Sequence, residues 1–258
     1  RQACQLRRVA VAGIELFRPQ WPAPPNVRAI ATTRAGGDSG GAFASLNLGS
    51  HVGDRSRAVA ANRRRLEAEA ELPAQPVWLE QVHGTRLVEL TGAPVDGAAD
   101  AALTAGPGLV CAVLTADCLP VLFCDRAGTR VAAVHAGWRG LAAGILDATI
   151  DAFGHAGIAP AELMAWLGPA IGPAAYEVGD DVRNAFSAAA DASAFERNDA
   201  GRWQCDLYGL ARHRLVARGV VTVAGGGFCT HADAPRFFSH RRDGQCGRQA
   251  TLIWLSPA

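Results

Sequence analysis

Residues 108–140, GLVCAVLTADCLPVLFCDRAGTRVAAVHAGWRG, decide how this chain is read. Val, Leu, Ala and Cys run almost without polar interruption over Gly108–Thr115, Val121–Cys124 and Arg130–His135. A strand with one wet face alternates apolar and polar residues, so continuous runs of this length predict strands covered on both faces. Working outward, Arg28–Thr32, Val77–Val82, Arg86–Leu90, Met164–Leu167, Val220–Val223 and Ala250–Leu255 predict further strands. Helical periodicity predicts a helix over Arg57–Leu72, capped by Asp54 or Ser56 and stopped before Pro73. Other helices are predicted over Leu141–Phe153, around Asp181–Ala190 and over Leu207–Arg218. The segment Leu167–Pro173, LGPAIGP, must be a loop, because each proline forbids helix continuation and each glycine frees φ. Strands and helices mix without strict βαβ alternation, which fits an α/β (α+β) fold with a mixed sheet, residues 1–258 forming one domain.

Three of these strand ends carry a residue able to bind metal: His83 in QVHG (81–84), Cys118 in ADCLP (116–120) and His135 in HAGWRG (135–140). Neighbouring strands that end at one sheet edge would bring the three side chains together. Two imidazoles and a thiolate would then leave a fourth tetrahedral position open, the arrangement of a catalytic rather than a structural zinc site. The spacings of 35 and 17 residues alone leave another reading open, with two turn histidines and a core cysteine unrelated to one another. Cys111 and Cys124, flanked by hydrophobes, are expected to be inert core thiols.

Composition narrows the function. A formal charge of +1 offers no electrostatic footprint for nucleic acid or an anionic membrane, and no apolar run reaches the length of a membrane span. Arg63-Arg64-Arg65 lies among Glu67, Glu69 and Glu71 and reads as a solvated helix face. Seven scattered cysteines, an odd number, suit reduced thiols in a cytoplasmic protein; the first residues, RQACQLRRVAVAGIEL, lack the apolar core of a signal peptide. The chain contains no lysine, which excludes a Schiff-base lysine, a pyridoxal-phosphate anchor and a Walker-A lysine. Any phosphate must be held by arginine, backbone N–H groups or hydroxyls. The long segment 35–54, AGGDSGGAFASLNLGSHVGD, is polar and Gly-rich yet carries Leu46 and Leu48, and long loops of this kind are often functional.

Seven segments taken in order resemble the YfiH-like family, once labelled a multicopper polyphenol oxidase (laccase) domain and later associated with purine nucleoside phosphorolysis. They are Thr32-Thr33-Arg34, Ser45–Gly49 (SLNLG), QVHG, ADCLP, HAGWRG, Gly168–Gly172 (GPAIG) and Phe238–Asp243 (FSHRRD). The resemblance implies a layered mixed β-sheet sandwich flanked by helices, related to the catalytic domain of cytotoxic necrotizing factors. It implies His83, Cys118 and His135 as metal ligands, with zinc as the cofactor and copper as the alternative. Arg34, Arg241 and Arg242 become candidates for holding phosphate, and Asn47 for bonding sugar or phosphate. Asp117, beside the cysteine, is a candidate for orienting a histidine ligand or moving a proton. Cys246 stands where the family pattern leads us to expect threonine, which removes a hydroxyl there.

The function implied is phosphorolysis of adenosine, inosine and methylthioadenosine to free base and ribose 1-phosphate, with adenosine deamination in the same pocket. A copper-dependent polyphenol oxidase is the second reading. Seven histidines, no His-x-His pair and a single methionine, Met164, argue against it, although adventitious Cu²⁺ would bind such ligands tightly. A third reading makes Cys118 a nucleophile with His135 as its base, in an amidohydrolase editing a peptidoglycan precursor.

Overall fold

The structure, a computed structural model, describes residues 6–11, 13–186 and 188–257. Its strands are β1 (Leu6–Val11), β2 (Ile14–Pro19), β3 (Val27–Thr32), β4 (Val77–Trp78), β5 (Leu87–Glu89), β6 (Ala101–Thr104), β7 (Val110–Thr115), β8 (Leu119–Asp125), β9 (Val131–Ala136), β10 (Leu163–Leu167), β11 (Glu177–Val178), β12 (Phe195–Arg197), β13 (Trp203–Cys205), β14 (Thr222–Gly225) and β15 (Gln249–Leu255). The helices are α1 (Ser56–Glu69), α2 (Trp138–Ala143), α3 (Ile145–His155), α4 (Asp180–Asn184), α5 (Leu207–Ala217) and α6 (His240–Asp243). Two six-stranded mixed sheets form, in the orders β1-β2-β3-β15-β7-β4 and β14-β10-β8-β9-β6-β5, with a small third sheet β11-β13-β12.

Alternation along the strands builds the layers. In β8, Leu122 and Cys124 pack with Cys111 and Val113 of β7 and Ile253 of β15, filling the space between the large sheets. Leu119, Val121 and Phe123 point the other way, onto Leu146 and Ile150 of α3 and Leu210 and Leu215 of α5. The outer face of the other sheet, with Ala112, Leu114 and Leu252, is covered by Leu66 of α1 and by Leu46 and Leu48 from the long loop. The order helix–sheet–sheet–helix leaves every residue of β7, β8, β9, β10 and β15 buried, which is why their sequences are predominantly apolar. Each fully buried Leu, Ile or Phe in these layers contributes about 1.5–3 kcal/mol.

Several expectations need correction. The strand expected over Val77–Val82 ends at Trp78, because the Gln81 carboxamide pairs with both backbone groups of Leu114 and takes the place of the ladder. The backbone is then free to turn, and His83 sits at φ 62°. The helix expected over Leu141–Phe153 is two helices, broken at Gly144, whose φ of 97° is incompatible with a continuing helix. Near Asp181–Ala190 only α4 is helical before residue 186. Neither Asp54 nor Ser56 caps α1 with its side chain. The Asp54 carboxylate instead accepts bonds from Arg55 N, Ser39 Oγ and Asn47 Nδ2, tying the long loop to the helix start. That loop is ordered around Asn62, fully buried on α1, whose amide bonds Ser39 Oγ and the carbonyls of Ser45 and Asn47. Cys4 lies outside the described residues. No helix among the described residues is long and apolar enough to cross a membrane.

Candidate metal centre

His83, Cys118 and His135 converge at one end of the space between the two large sheets. Cys118 lies in the turn joining β7 to β8, and His135 lies on β9, where it is paired with Pro120 of β8. His83 comes from the loop that leaves β4. All ligand atoms of the three fall within 4.8 Å of one another, and Cys118 Sγ lies 3.7 Å from His83 Nε2. A thiolate and an imidazole on one tetrahedral zinc would stand about 3.5 Å apart, from bond lengths of about 2.3 and 2.0–2.1 Å. The two imidazoles meet edge-on, with centroids 4.8 Å apart.

Asp100, immediately before β6 and fully buried, organises both histidines. Its Oδ1 accepts from His135 Nδ1 at 2.8 Å and from His83 N at 2.9 Å. Its Oδ2 accepts from Val82 N and Gly84 N. One carboxylate therefore fixes the His135 tautomer, with the proton on Nδ1 and Nε2 turned to the metal position, and also clamps the strained His83 loop. Gly137 supplies the room. A Cβ there would stand 2.7 Å from His83 Cδ2 and 3.1 Å from Cys118 Sγ, so any side chain would push the ligands apart.

Charge is shared among these groups. Burial works against the Cys118 thiolate, but His135 and His83 outweigh it and hold the thiol down at about 6. Burial also works against a charged His135, and the Cys118 thiolate and Asp100 reverse this and push it up to about 9. Asp100 stays below the ordinary carboxylate range: burial opposes its charge, and the bonds from His135 and the loop N–H groups prevail. The centre thus pairs a Cys118 thiolate with a charged His135 at neutral pH, and a metal taking the site would use the thiolate as it stands and displace the His135 Nε2 proton.

The other expected site residues separate into two groups. Asp117, at φ 89°, turns its carboxylate to Thr230 Oγ1 and to Arg241 N at the start of α6. Orienting His135 falls to Asp100, a residue the sequence reading missed because nothing marks a buried acid ahead of an Ala-rich strand. Arg242 has all five N–H groups engaged, on the carbonyls of Thr230, His231 and Phe237 and on both Asp243 oxygens. Arg34 bonds the carbonyls of Ala44 and Ala234 and lies over the Phe238 ring. Asn47 is fully buried, donating to Gly49 O and Asp54 and accepting from Gly49 N and Arg248 N. These three hold the loops of the site together. Cys246 packs with Ala116 and Phe238 in a small apolar cluster.

Two lobes of one cleft meet at Cys118. The smaller, of about 170 Å³, is largely apolar and is lined by Trp138, Ile171, Tyr176 and Leu207 with Asp117 and Arg241. The larger, of about 350 Å³, is polar and includes His51, Thr115, Arg139 and Arg248 beside the two histidine ligands. Arg241 is the expected arginine that reaches the cleft, stacked over Tyr176 with Nη1 on Glu177 O. His51, Thr115, Arg139 and Arg248 were not anticipated, although Arg139 lies inside HAGWRG and the lack of lysine pointed to arginine.

A family profile described as multi-copper polyphenol oxidoreductase laccase matches residues 28–256. A purine nucleoside phosphorylase of Pseudomonas aeruginosa is 58% identical over 240 residues, covering 92% of this chain and 97% of the relative. The purine nucleoside phosphorylase YfiH of Escherichia coli is 53% identical over 243 residues, covering 93% and 99%. Among solved structures, a Neisseria meningitidis protein superposes with a TM-score of 0.87 at 50% identity, covering 94% of this chain and 99% of that one. YlmD from Geobacillus stearothermophilus does so with a TM-score of 0.90 at 32% identity, covering 98% and 100%.

Proposed function

Because the chain belongs to the YfiH-like, laccase-domain family, we propose that it is a zinc-dependent purine nucleoside phosphorylase. Its substrates are adenosine, inosine and methylthioadenosine, and the same site deaminates adenosine. The observation that carries this reading is the His83–Cys118–His135 set, held from behind by Asp100 and facing a cleft with arginine on its walls. Two imidazole nitrogens and a thiolate suit zinc, and a fourth position is left for a ligand. When bound, zinc supplies a Lewis acid that acidifies water at that position.

The chain's own residues do the rest. Asp100 keeps the proton on His135 Nδ1, Cys118 presents a thiolate, and the cleft arginines bind and orient an anion beside the sugar. In phosphorolysis a phosphate oxygen bonds to C1′ as the C1′–N9 bond breaks. The electron pair leaves with the purine, and the proton of hydrogen phosphate ends on the base. Fixed guanidinium groups stabilise the charge that develops along this path.

The test is product analysis of adenosine turnover by chromatography, with and without phosphate, on protein of measured metal content. Removing phosphate should abolish release of free base and leave formation of inosine intact. Oxidation of a phenol with stoichiometric copper, and no turnover of any purine nucleoside, would replace this reading with the oxidase one.

A further inference from the structure

Trp138 and Arg139 are neighbours in the chain, yet Trp138 lines the apolar lobe and Arg139 the polar one. The Arg139 guanidinium stacks over the Trp138 ring at 4.5 Å, and no hydrogen bond or carboxylate reaches it among the described residues. Arg248 on the same lobe is pinned by Nη1 to the carbonyls of Cys246 and Gly247, and no carboxylate pairs with it either. His51 lines the same lobe; burial first, then the charges of Arg248 and Arg63, lower its pKa. No Asp or Glu lines the polar lobe. A concave wall with two uncompensated guanidinium groups and no acid favours a dianion.

A second observation marks the same lobe. Thr115, the last residue of β7, is 2% exposed, and its Oγ1 has no hydrogen-bond partner. A buried hydroxyl without a partner carries a desolvation cost that a ligand would relieve. The apolar lobe has the opposite character. Tyr176, Trp138, Ile171 and Leu207 form its walls, and both carboxylate oxygens of Asp117 are already engaged by Thr230 and Arg241 N.

We propose that inorganic phosphate binds in the polar lobe between Arg139 and Arg248, on the Thr115 hydroxyl, and that the purine lies in the apolar lobe against Tyr176 and Trp138. The assignment deepens the phosphorylase reading and rests on it. Ala116, Cys118 and His240 line both lobes, so a ribose joining the two ligands would cross the metal centre.

The test varies phosphate and inosine independently in steady-state assays of the zinc-loaded enzyme. Arg139→Ala, which removes an exposed side chain with no bonds to the fold, should raise the KM for phosphate roughly 10–100-fold, the loss of charge-assisted hydrogen bonds, while the KM for inosine moves less than about threefold. Arg248→Gln and Thr115→Val should move the same constant in the same direction. Tyr176→Leu should raise the KM for inosine and leave that for phosphate unchanged. The opposite split, with the arginine variants affecting inosine alone, overturns the assignment. If the parent enzyme turns over no nucleoside, the phosphorylase reading fails, and calorimetric titration with inorganic phosphate judges the lobe by itself. Saturable binding that disappears in Arg139→Ala supports the site, and no binding by the parent overturns it.

Discussion

Replacing Asp100 by Asn changes one atom and should loosen the whole centre. The carboxylate accepts four N–H groups, two on each oxygen. An asparagine amide retains one oxygen and turns an NH₂ group toward the other pair of donors. If its oxygen stays with His83 N and His135 Nδ1, the bonds from Val82 N and Gly84 N are lost. Two bonds at about 0.5–1.5 kcal/mol each come to about 2 kcal/mol, which lowers the melting midpoint of the metal-free protein by about 4–8 °C in a chain of this size. If the amide takes the other orientation, His135 loses its acceptor and the tautomer is no longer fixed. Either way, zinc affinity should fall on the order of 10–100-fold, as expected when a partner behind a metal ligand is removed. Chelator competition measures the affinity and a thermal melt measures the stability. Zinc binding within twofold of the parent, together with an unchanged midpoint, would falsify the role given to Asp100.

Further outcomes follow from the same geometry. Cys118→Ala should stay folded and lose most of its metal and all nucleoside turnover; full retention of zinc, by elemental analysis, would remove Cys118 from the ligand set. Arg242→Ala strands the carbonyls of Thr230, His231 and Phe237, so it should cost about 2–4 kcal/mol of stability by denaturant unfolding. A change confined to the KM for phosphate would instead return Arg242 to the anion site. Cys111 and Cys124 should resist alkylation in the native state, since burial raises both thiols, Cys124 to about 12; rapid labelling of either would contradict the packing of β7 and β8. The same shift sets an alkaline limit. A thiol raised in the folded state contributes stability that is intact below its unfolded pKa, near 9, and is lost as pH climbs toward about 12, so melting midpoints should decline across that window.

The parts of the fold legible in the sequence are those where burial on both faces removed most polar residues. The runs at Gly108–Thr115 and Ala250–Leu255 announced β7 and β15 in this way. Strand β6, AALT, is equally buried but short and Ala-rich, and the three-stranded sheet β11-β13-β12 uses runs of two or three residues. Neither carries a period long enough to read. The three candidate ligands that the structure brings together could be picked out because His and Cys at strand ends are chemically conspicuous. Asp100 could not, since its importance lies in four donors supplied by other segments. Arg139 and Arg242 show the limit most clearly: one has no hydrogen-bonding partner among the described residues, the other has every donor engaged, and the motifs HAGWRG and FSHRRD give no means of telling them apart.

The clamp that Asp100 places on His83 and His135, with Gly137 leaving space in front, makes the fold itself set where the two imidazoles stand relative to the Cys118 sulfur. Raw affinity alone would not favour zinc there, because Cu²⁺ binds nitrogen and sulfur donors more tightly than Zn²⁺. Metal supply, together with the geometry of the donors, would then bear on which ion occupies the cleft. A preparation grown or purified in copper should carry copper, and redox behaviour seen in it would report the medium as much as the enzyme.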